Sequence, residues 1–122
     1  MLVIISPAKK LDMSPANGVA VTSPAFLDNA MELAGFARRL PHDDIRSLMG
    51  LSDSLAQLNT ERFAAFGTQD KKPAALSFAG DTYQGLEAQS LDADDMAWAQ
   101  THLRILSGLY GLLRPLDEIE PY

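Results

Sequence analysis

The chain has 122 residues, of which 47% are hydrophobic and 21% are charged, so we expect one globular domain with one core. It contains no cysteine, which excludes a disulfide, a thiolate zinc site and a cysteine nucleophile. The formal net charge of −6 disfavours nucleic-acid binding by the surface as a whole, because such surfaces are normally basic.

The N-terminal segment predicts a short buried strand over Leu2–Ser6 that ends before Pro7. This strand places the Ser6 hydroxyl and the ammonium groups of Lys9 and Lys10 at its C-terminal end, where ligands collect in many sheet proteins. Residues 12–22 are expected to form a loop with a turn at Asn17-Gly18.

Three helices are predicted next, and they begin at Ser23-Pro24, Pro41 and Ser52. Gly50 and Gly67 are the expected ends of the second and third helices. Ala74–Ala79 is predicted to be a second strand, Gly80–Leu86 a turn of functional character, and Asp92 the cap of a fourth helix with Trp98 in the core.

The last apolar stretch, residues 103–117, contains two arginines. An unpaired buried guanidinium is very unfavourable, so Arg104 and Arg114 must pair with acids or face an anion in a cleft. The pairing alternative joins Arg114 to Asp117 or Glu118, and Arg104 to Asp81.

The glycine element Gly108–Gly111 is open to two interpretations. It could be the turn of a helix-hairpin-helix that presents N–H groups to a DNA phosphate. It could instead follow a buried strand over Arg104–Ser107, with the glycines permitting close packing. We favour the strand, because Pro115 leaves little room for a second helix.

The elements together predict an α/β protein, with a mixed α+β arrangement as the variant. Leu2–Ile5 and the strand that starts near Arg104 should be neighbours in one sheet, covered on both faces because both are apolar on both faces. No apolar run approaches the roughly 20 residues of a membrane helix, and the start lacks the basic region of a signal peptide. We therefore expect a cytoplasmic protein without a membrane partner.

Three motifs resemble the bacterial YaaA family of peroxide stress proteins: SPAK-x-LD from Ser6, GD-x-Y-x-GL from Gly80, and R-x-LSGLYGLLRPLD from Arg104. The resemblance implies a YaaA-type fold, a mixed sheet with flanking helices. It also implies DNA binding through a basic cleft with a helix-hairpin-helix, and a role against oxidative damage tied to intracellular iron. Chains of that family continue well beyond Tyr122, so this chain resembles the N-terminal half, and its exposed apolar surface is expected to self-associate.

The candidate site is assigned on these grounds to residues in the two terminal segments. The residues expected to contact DNA phosphates are Ser6, Lys9, Lys10, Arg104, Ser107, Gly108, Gly111 and Arg114, and the supporting residues are Asp81, Tyr83 and Tyr110. The plainer alternatives are that the two lysines are solvated loop charges and that Asp81 stabilises an Asx-type turn.

Three classes of function remain open, and DNA-binding stress protection is our prediction. The second class is an enzyme acting on a phosphorylated or nucleotide-like substrate at a cleft of Ser6, Lys9 and Arg104, with a buried lysine or tyrosine as general base. The third is an iron-handling protein. His42 and His102 are isolated, so we predict no metal site and no cofactor in this chain.

Overall fold

We describe the fold from a computed structural model, which describes residues 1–16 and 18–122. Asn17, half of the turn predicted at Asn17-Gly18, lies outside the described residues. The helices are α1 Leu27–Ala37, α2 His42–Met49, α3 Asp53–Ala64, α4 Ala74–Ser77, α5 Asp81–Leu86 and α6 Ala93–His102. The strands are β1 Val3–Ile5, β2 Lys10–Leu11, β3 Lys72–Pro73, β4 Phe78–Ala79, β5 Leu103–Ser107, β6 Gly111–Leu113 and β7 Glu118–Ile119.

The largest sheet has the strand order β1-β5-β6. Strand β1 runs parallel to β5, with Ile4 opposite Arg104, whereas β6 runs antiparallel to β5, with Leu113 opposite Ile105. Two further antiparallel pairs of short strands, β2-β4 and β3-β7, lie outside this sheet. The predicted α/β class and the predicted adjacency of the first strand with the strand near Arg104 are both confirmed.

The two faces of this sheet differ in burial. Ile105 and Leu113 are fully buried on one face, whereas Ile4 is 53%, Leu106 45% and Leu112 40% exposed on the other. The expectation that Leu2–Ile5 is covered on both faces was therefore wrong for this chain. Strand β1 is paired on one side and lies at the edge of the sheet.

The core lies between the buried face of the sheet and the helices. It combines aromatic rings, small side chains of α1 and α4, and aliphatic side chains of the strands. Its members include Ala30, Ala34, Phe63, Phe66, Ala74, Phe78, Tyr83, Ile105, Tyr110, Leu113 and Ile119. The small residues let α1 and α4 approach their neighbours closely, which leaves the larger rings to fill the remaining volume.

The predicted helix boundaries are confirmed where a residue of the predicted type caps the helix. Ser52 accepts the N–H of Leu55 at 3.4 Å, Asp92 accepts the N–H of Asp95 at 2.8 Å, and Gly50 ends α2 with φ of 63°. Helix α1 begins at Leu27 rather than at Ser23-Pro24. The carbonyl of Ser23 instead accepts a hydrogen bond from Arg114, so this segment belongs to a tertiary contact.

Three predictions for the region from Ala74 to Trp98 were wrong. The segment Ala74–Ala79 divides into the helical turn α4 and the short strand β4, because the Ser77 hydroxyl donates back to the carbonyl of Pro73 at 2.9 Å. The following segment, Gly80–Leu86, forms helix α5 rather than the predicted turn of functional character, and no Asx-type turn is formed at Asp81. Trp98 is 61% exposed and stacks on His102, so it lies outside the core.

Candidate functional site

A cavity opens at the C-terminal end of the two parallel strands. Because β1 and β5 run in the same direction, the residues that follow each strand meet at one edge of the sheet. The cavity there has a volume of about 360 Å³, within the range of small-molecule sites. Its lining residues are Pro7, Ala8, Lys9, Leu11, Met49, Asn59, Phe78, Gly108 and Tyr122.

The two lysines at this edge have different surroundings. Lys9 is exposed, lines the cavity and donates from Nζ to the carbonyl of Gly50 at 3.1 Å. Lys10 is also exposed but lies in β2 and does not line the cavity. Within the described residues, neither ammonium group has a carboxylate oxygen within 4.0 Å, so both charges remain available to an anion.

Ser6 and Tyr83 are joined by one hydrogen bond. The Tyr83 hydroxyl donates to the carbonyl of Ser6 at 2.5 Å, which fixes the chain where it leaves β1. Burial raises the pKa of Tyr83 to about 12, so the phenol is neutral at neutral pH. Tyr83 therefore holds the loop as a donor and is a poor general base.

The Gly108–Gly111 element is the turn of a β-hairpin between β5 and β6, so the strand interpretation is confirmed. The Ser107 hydroxyl oxygen accepts the N–H groups of Leu109 at 3.2 Å and Tyr110 at 2.9 Å. No helix-hairpin-helix is formed by these residues, because β6 replaces the second helix. Between the two predicted contact glycines, the N–H groups of Leu109 and Tyr110 are therefore already bonded within the turn.

Tyr110 belongs to the core rather than to the cavity wall. Its ring is 1% exposed, and its hydroxyl oxygen accepts the N–H of Glu120 at 3.0 Å. Burial raises the pKa of Tyr110 above its ordinary value. The Glu120 carboxylate in turn accepts the N–H groups of Gly67 and Gln69, so Tyr110 ties the last strand to the end of α3.

Asn59 is a cavity residue that the sequence prediction missed. It is 4% exposed, and its Nδ2 donates to the carbonyl of Leu55 at 2.9 Å. Its Oδ1 has no hydrogen-bond donor among the described residues. The signal was present in the sequence, because Asn59 falls on the same face of α3 as the buried Ala56 and Phe63.

Arg114 is bound to an acid inside the protein, as the pairing alternative predicted. Its Nη2 lies 3.0 Å from Oδ1 of Asp117, which is fully buried, and the same nitrogen donates to the carbonyl of Ser23 at 3.0 Å. Asp117 therefore offsets the charge that was expected to face a DNA phosphate.

Arg104 keeps a charge without a carboxylate partner within 4.0 Å among the described residues. Its Nη1 donates at 2.8 Å to the carbonyls of Gln100 and Leu103, at the end of α6. The predicted pairing with Asp81 is not formed.

The structure separates the predicted cleft residues into two groups. Ser6, Lys9, Ser107 and Gly108 follow or end the parallel strands at one edge of the sheet. Arg104 precedes Ser107 and Gly108 in β5, about 13 Å from Gly108 at roughly 3.3 Å per residue. Arg114 follows Leu113, which lies opposite Ile105, so it sits at the same end as Arg104.

A larger groove of about 1010 Å³ lies between helix α6 and the segments of residues 12–16 and 18–22. Its buried cation, Lys72, donates from Nζ to the carbonyl of Asp12 at 2.8 Å. Hydrogen bonds from Ser14, with the charge of Lys72, lower the pKa of Asp12. Lys72 and Asp12 are thus bonded to each other, so their charges are compensated within the protein.

The described part of the chain contains no group of three or more histidine, aspartate or glutamate side chains arranged to hold a metal ion. Nor does any helix in that part have the length and apolar character needed to cross a membrane.

The fold and the site define a class: a mixed α/β protein with an open cavity at the C-terminal edge of a partly uncovered sheet. The family model described as peroxide stress protein YaaA matches residues 1–122. The chain belongs to this YaaA peroxide stress family.

Curated relatives support the same assignment. The chain is 61% identical over 126 residues to UPF0246 protein SPO0106 of Ruegeria pomeroyi and 60% identical over 126 residues to UPF0246 protein RD1_0358 of Roseobacter denitrificans. It is 50% identical over 127 residues to a UPF0246 protein of Burkholderia ambifaria. Each match covers 100% of this chain but 49%, 48% and 49% of the respective relative, so the chain spans about half their length.

Proposed function

We propose that this chain contributes a DNA-backbone contact to a cytoplasmic peroxide stress protein, which limits oxidative damage by occupying DNA. Membership of the peroxide stress family supports the stress role. The DNA contact is supported by basic side chains whose charge is not paired with a nearby carboxylate. Lys9, Lys10 and Arg104 have no carboxylate within 4.0 Å among the described residues, although the chain has 16 acidic and 10 basic side chains.

The proposal refines which residues contact phosphate. Lys9 and Lys10 offer ammonium groups at one edge of the sheet, and Arg104 offers a guanidinium on its open face beside Ile4. Arg114 is excluded from the contact set because its charge is bound to the buried Asp117. A duplex backbone is long enough to reach both groups, since phosphates follow one another at a few ångströms along each strand.

The salt dependence of binding tests this assignment. Each lost phosphate contact should reduce the slope of log K against log salt by about 0.9 for duplex DNA, because one fewer counterion is released. We expect Lys9→Ala and Arg104→Ala each to reduce the slope by that amount. Arg114→Ala, which removes the same type of charge as Arg104→Ala, should leave the slope unchanged.

The measurement should be made on this chain and on the longer Ruegeria pomeroyi relative. Binding by the relative alone would place the DNA surface in the part that this chain does not cover, and would overturn the roles of Lys9 and Arg104. Unchanged slopes for both Ala variants in a chain that binds would overturn them as well.

The enzyme alternative is less well supported by the geometry. Ser6 and Lys9 lie at one end of the strands and Arg104 lies towards the other, so these three do not form one cleft. Tyr83, a candidate general base, has its pKa raised to about 12 by burial, which favours the neutral phenol.

A further inference from the structure

One lining residue of the cavity at the strand ends, Asn59, carries a buried acceptor. Asn59 is 4% exposed, and Oδ1 has no donor among the described residues. The amide orientation is fixed, because exchanging its two atoms would bring Oδ1 against the carbonyl of Leu55, which now accepts from Nδ2. A buried acceptor without a partner is unfavourable, so the cavity favours an occupant that brings an N–H or O–H group.

Two other lining residues, Lys9 and Tyr122, offer hydrogen-bond donors. Lys9 is exposed and uses one of its three ammonium hydrogens on Gly50, which leaves two for an anion. Ser107 already accepts two N–H groups, so its own hydrogen goes to the Tyr122 hydroxyl oxygen at 2.6 Å. The Tyr122 hydrogen is then free to be donated.

The rest of the lining is mostly apolar and partly aromatic. Phe78 and Tyr122 contribute aromatic rings, and Leu11 and Met49 contribute aliphatic surface. An occupant that matches these three kinds of lining residue has a flat body, a neutral donor at one end and an anionic group at the other.

We propose that this cavity binds a nucleotide, with a base N–H group on Asn59 and the phosphate on Lys9. Each of the four bases carries an amino or imino N–H, so a single acceptor can bind any base and does not discriminate among the four. The nucleotide has two sources, a free nucleoside monophosphate or an unstacked nucleotide of a DNA strand. The inference rests on the proposed function only for the second source.

Titration of the chain with three probes tests the two ends of the site separately. The probes are deoxyadenosine monophosphate, deoxyadenosine, which lacks the phosphate, and ribose 5-phosphate, which lacks the base. We expect the monophosphate to bind roughly tenfold or more tightly than either partial probe. Deoxyadenosine lacks the charge-assisted hydrogen bond to Lys9, and ribose 5-phosphate lacks the hydrogen bond to Asn59. Equal binding of all three probes, or of none, would overturn the proposal.

Two variants assign the contacts to residues. Asn59→Leu keeps the side-chain volume and removes the acceptor, so it should weaken the monophosphate and deoxyadenosine but not ribose 5-phosphate. Lys9→Ala, at an exposed position that tolerates truncation, should weaken the monophosphate and ribose 5-phosphate but not deoxyadenosine. Lys71→Ala is the matched control, because it removes an exposed lysine that does not line the cavity and should leave all three affinities unchanged.

The thermal melting temperature separates ligand binding from a purely structural role. Asn59→Leu removes an unpartnered buried acceptor and should keep or raise the melting temperature while binding is lost. An unchanged or raised melting temperature with unchanged monophosphate affinity would overturn the site. If Asn59→Leu does not fold, Lys9→Ala decides the test: it should weaken the monophosphate and ribose 5-phosphate and leave the affinity for deoxyadenosine unchanged.

Competition with a single-stranded oligonucleotide distinguishes the sources. Displacement of the monophosphate by the oligonucleotide, with both weakened by Asn59→Leu, supports a nucleotide of a DNA strand. Monophosphate binding without displacement supports the free nucleotide and counts against DNA at this edge. DNA binding that is insensitive to Asn59→Leu, without monophosphate binding, would overturn this inference and leave the proposed function standing.

Discussion

Asp117 shows how one side chain decides the role of its neighbours. Its buried carboxylate accepts the Thr22 hydroxyl at 2.6 Å, the backbone N–H of Arg114 at 2.8 Å and the guanidinium of Arg114. It therefore holds the loop before α1, the turn after β6 and an arginine together. A buried carboxylate is poorly solvated, so its negative charge requires the guanidinium of Arg114 in addition to these hydrogen bonds.

Arg114→Ala should destabilise the fold without affecting DNA affinity. Asp117 would stay buried without its charged partner, and we expect the free energy of unfolding to fall by about 2 kcal/mol, at the lower end for a buried pair because Arg114 is partly exposed. Denaturant unfolding followed by circular dichroism measures this change.

Arg46→Ala is the matched control for that experiment. Arg46 pairs with Asp53 at 3.4 Å, but both side chains are largely exposed, and such pairs contribute about 1 kcal/mol or less. Equal losses for Arg46→Ala and Arg114→Ala would show that burial of Asp117 does not strengthen its pair.

At the level of elements, the β5-β6 hairpin depends more on Gly111 than on Gly108. Gly111 has φ of 74°, in the left-handed region that side chains rarely adopt, and a Cβ atom there would lie 3.3 Å from Cδ2 of Phe26. Gly108 has no positive φ, and a Cβ atom there would meet no atom within 4 Å. The two glycines looked equivalent in the sequence because both were expected to shape one phosphate-binding turn.

Gly111→Ala should lower the free energy of unfolding by about 1–2 kcal/mol, because the left-handed backbone is strained for alanine. Gly108→Ala should change it by no more than a few tenths of a kcal/mol, near the usual range of surface substitutions. Thermal or denaturant unfolding of the two variants side by side is the measurement. A larger effect at Gly108 would contradict this account of the turn.

For the whole molecule, the open face of the sheet is the most consequential feature. Ile4, Leu106 and Leu112 are exposed on one face, and β1 has no partner on its outer side within the described residues. An unpaired edge beside an apolar face favours pairing with another chain. A second copy of this chain can pair β1 with β1 about a two-fold axis, which satisfies both edges at once.

We therefore expect the chain to self-associate in a concentration-dependent way, and Ile4→Lys to weaken that association by placing a charge on the edge strand. Light scattering after size exclusion measures the mass of each form. Leu48→Lys is the control, because Leu48 is 72% exposed on α2, away from this sheet. A monomer at all concentrations, or equal effects of the two variants, would contradict the prediction.

The sequence determined those features that depend on neighbouring residues. Ser52, Asp92 and Gly50 set helix ends because their hydrogen bonds and backbone angles are local. The β-branched start and the apolar run after Arg104 indicated two strands, because short apolar runs bounded by proline or glycine are typical of strands. The family motifs are continuous stretches of sequence, so they could likewise be recognised without a structure.

Tertiary structure decided everything that depends on which distant groups meet. It contributed to the division of Ala74–Ala79 between a helical turn and a strand, because the N–H groups of Ala74 and Ala75 donate to the carbonyls of Asp117 and Pro115. It bound Arg114 to Asp117, left Arg104 without a carboxylate, and brought Asn59 and Tyr122 to the cavity beside Lys9. Local propensity cannot encode these outcomes, because charge pairing and burial are set by atoms far apart in the chain.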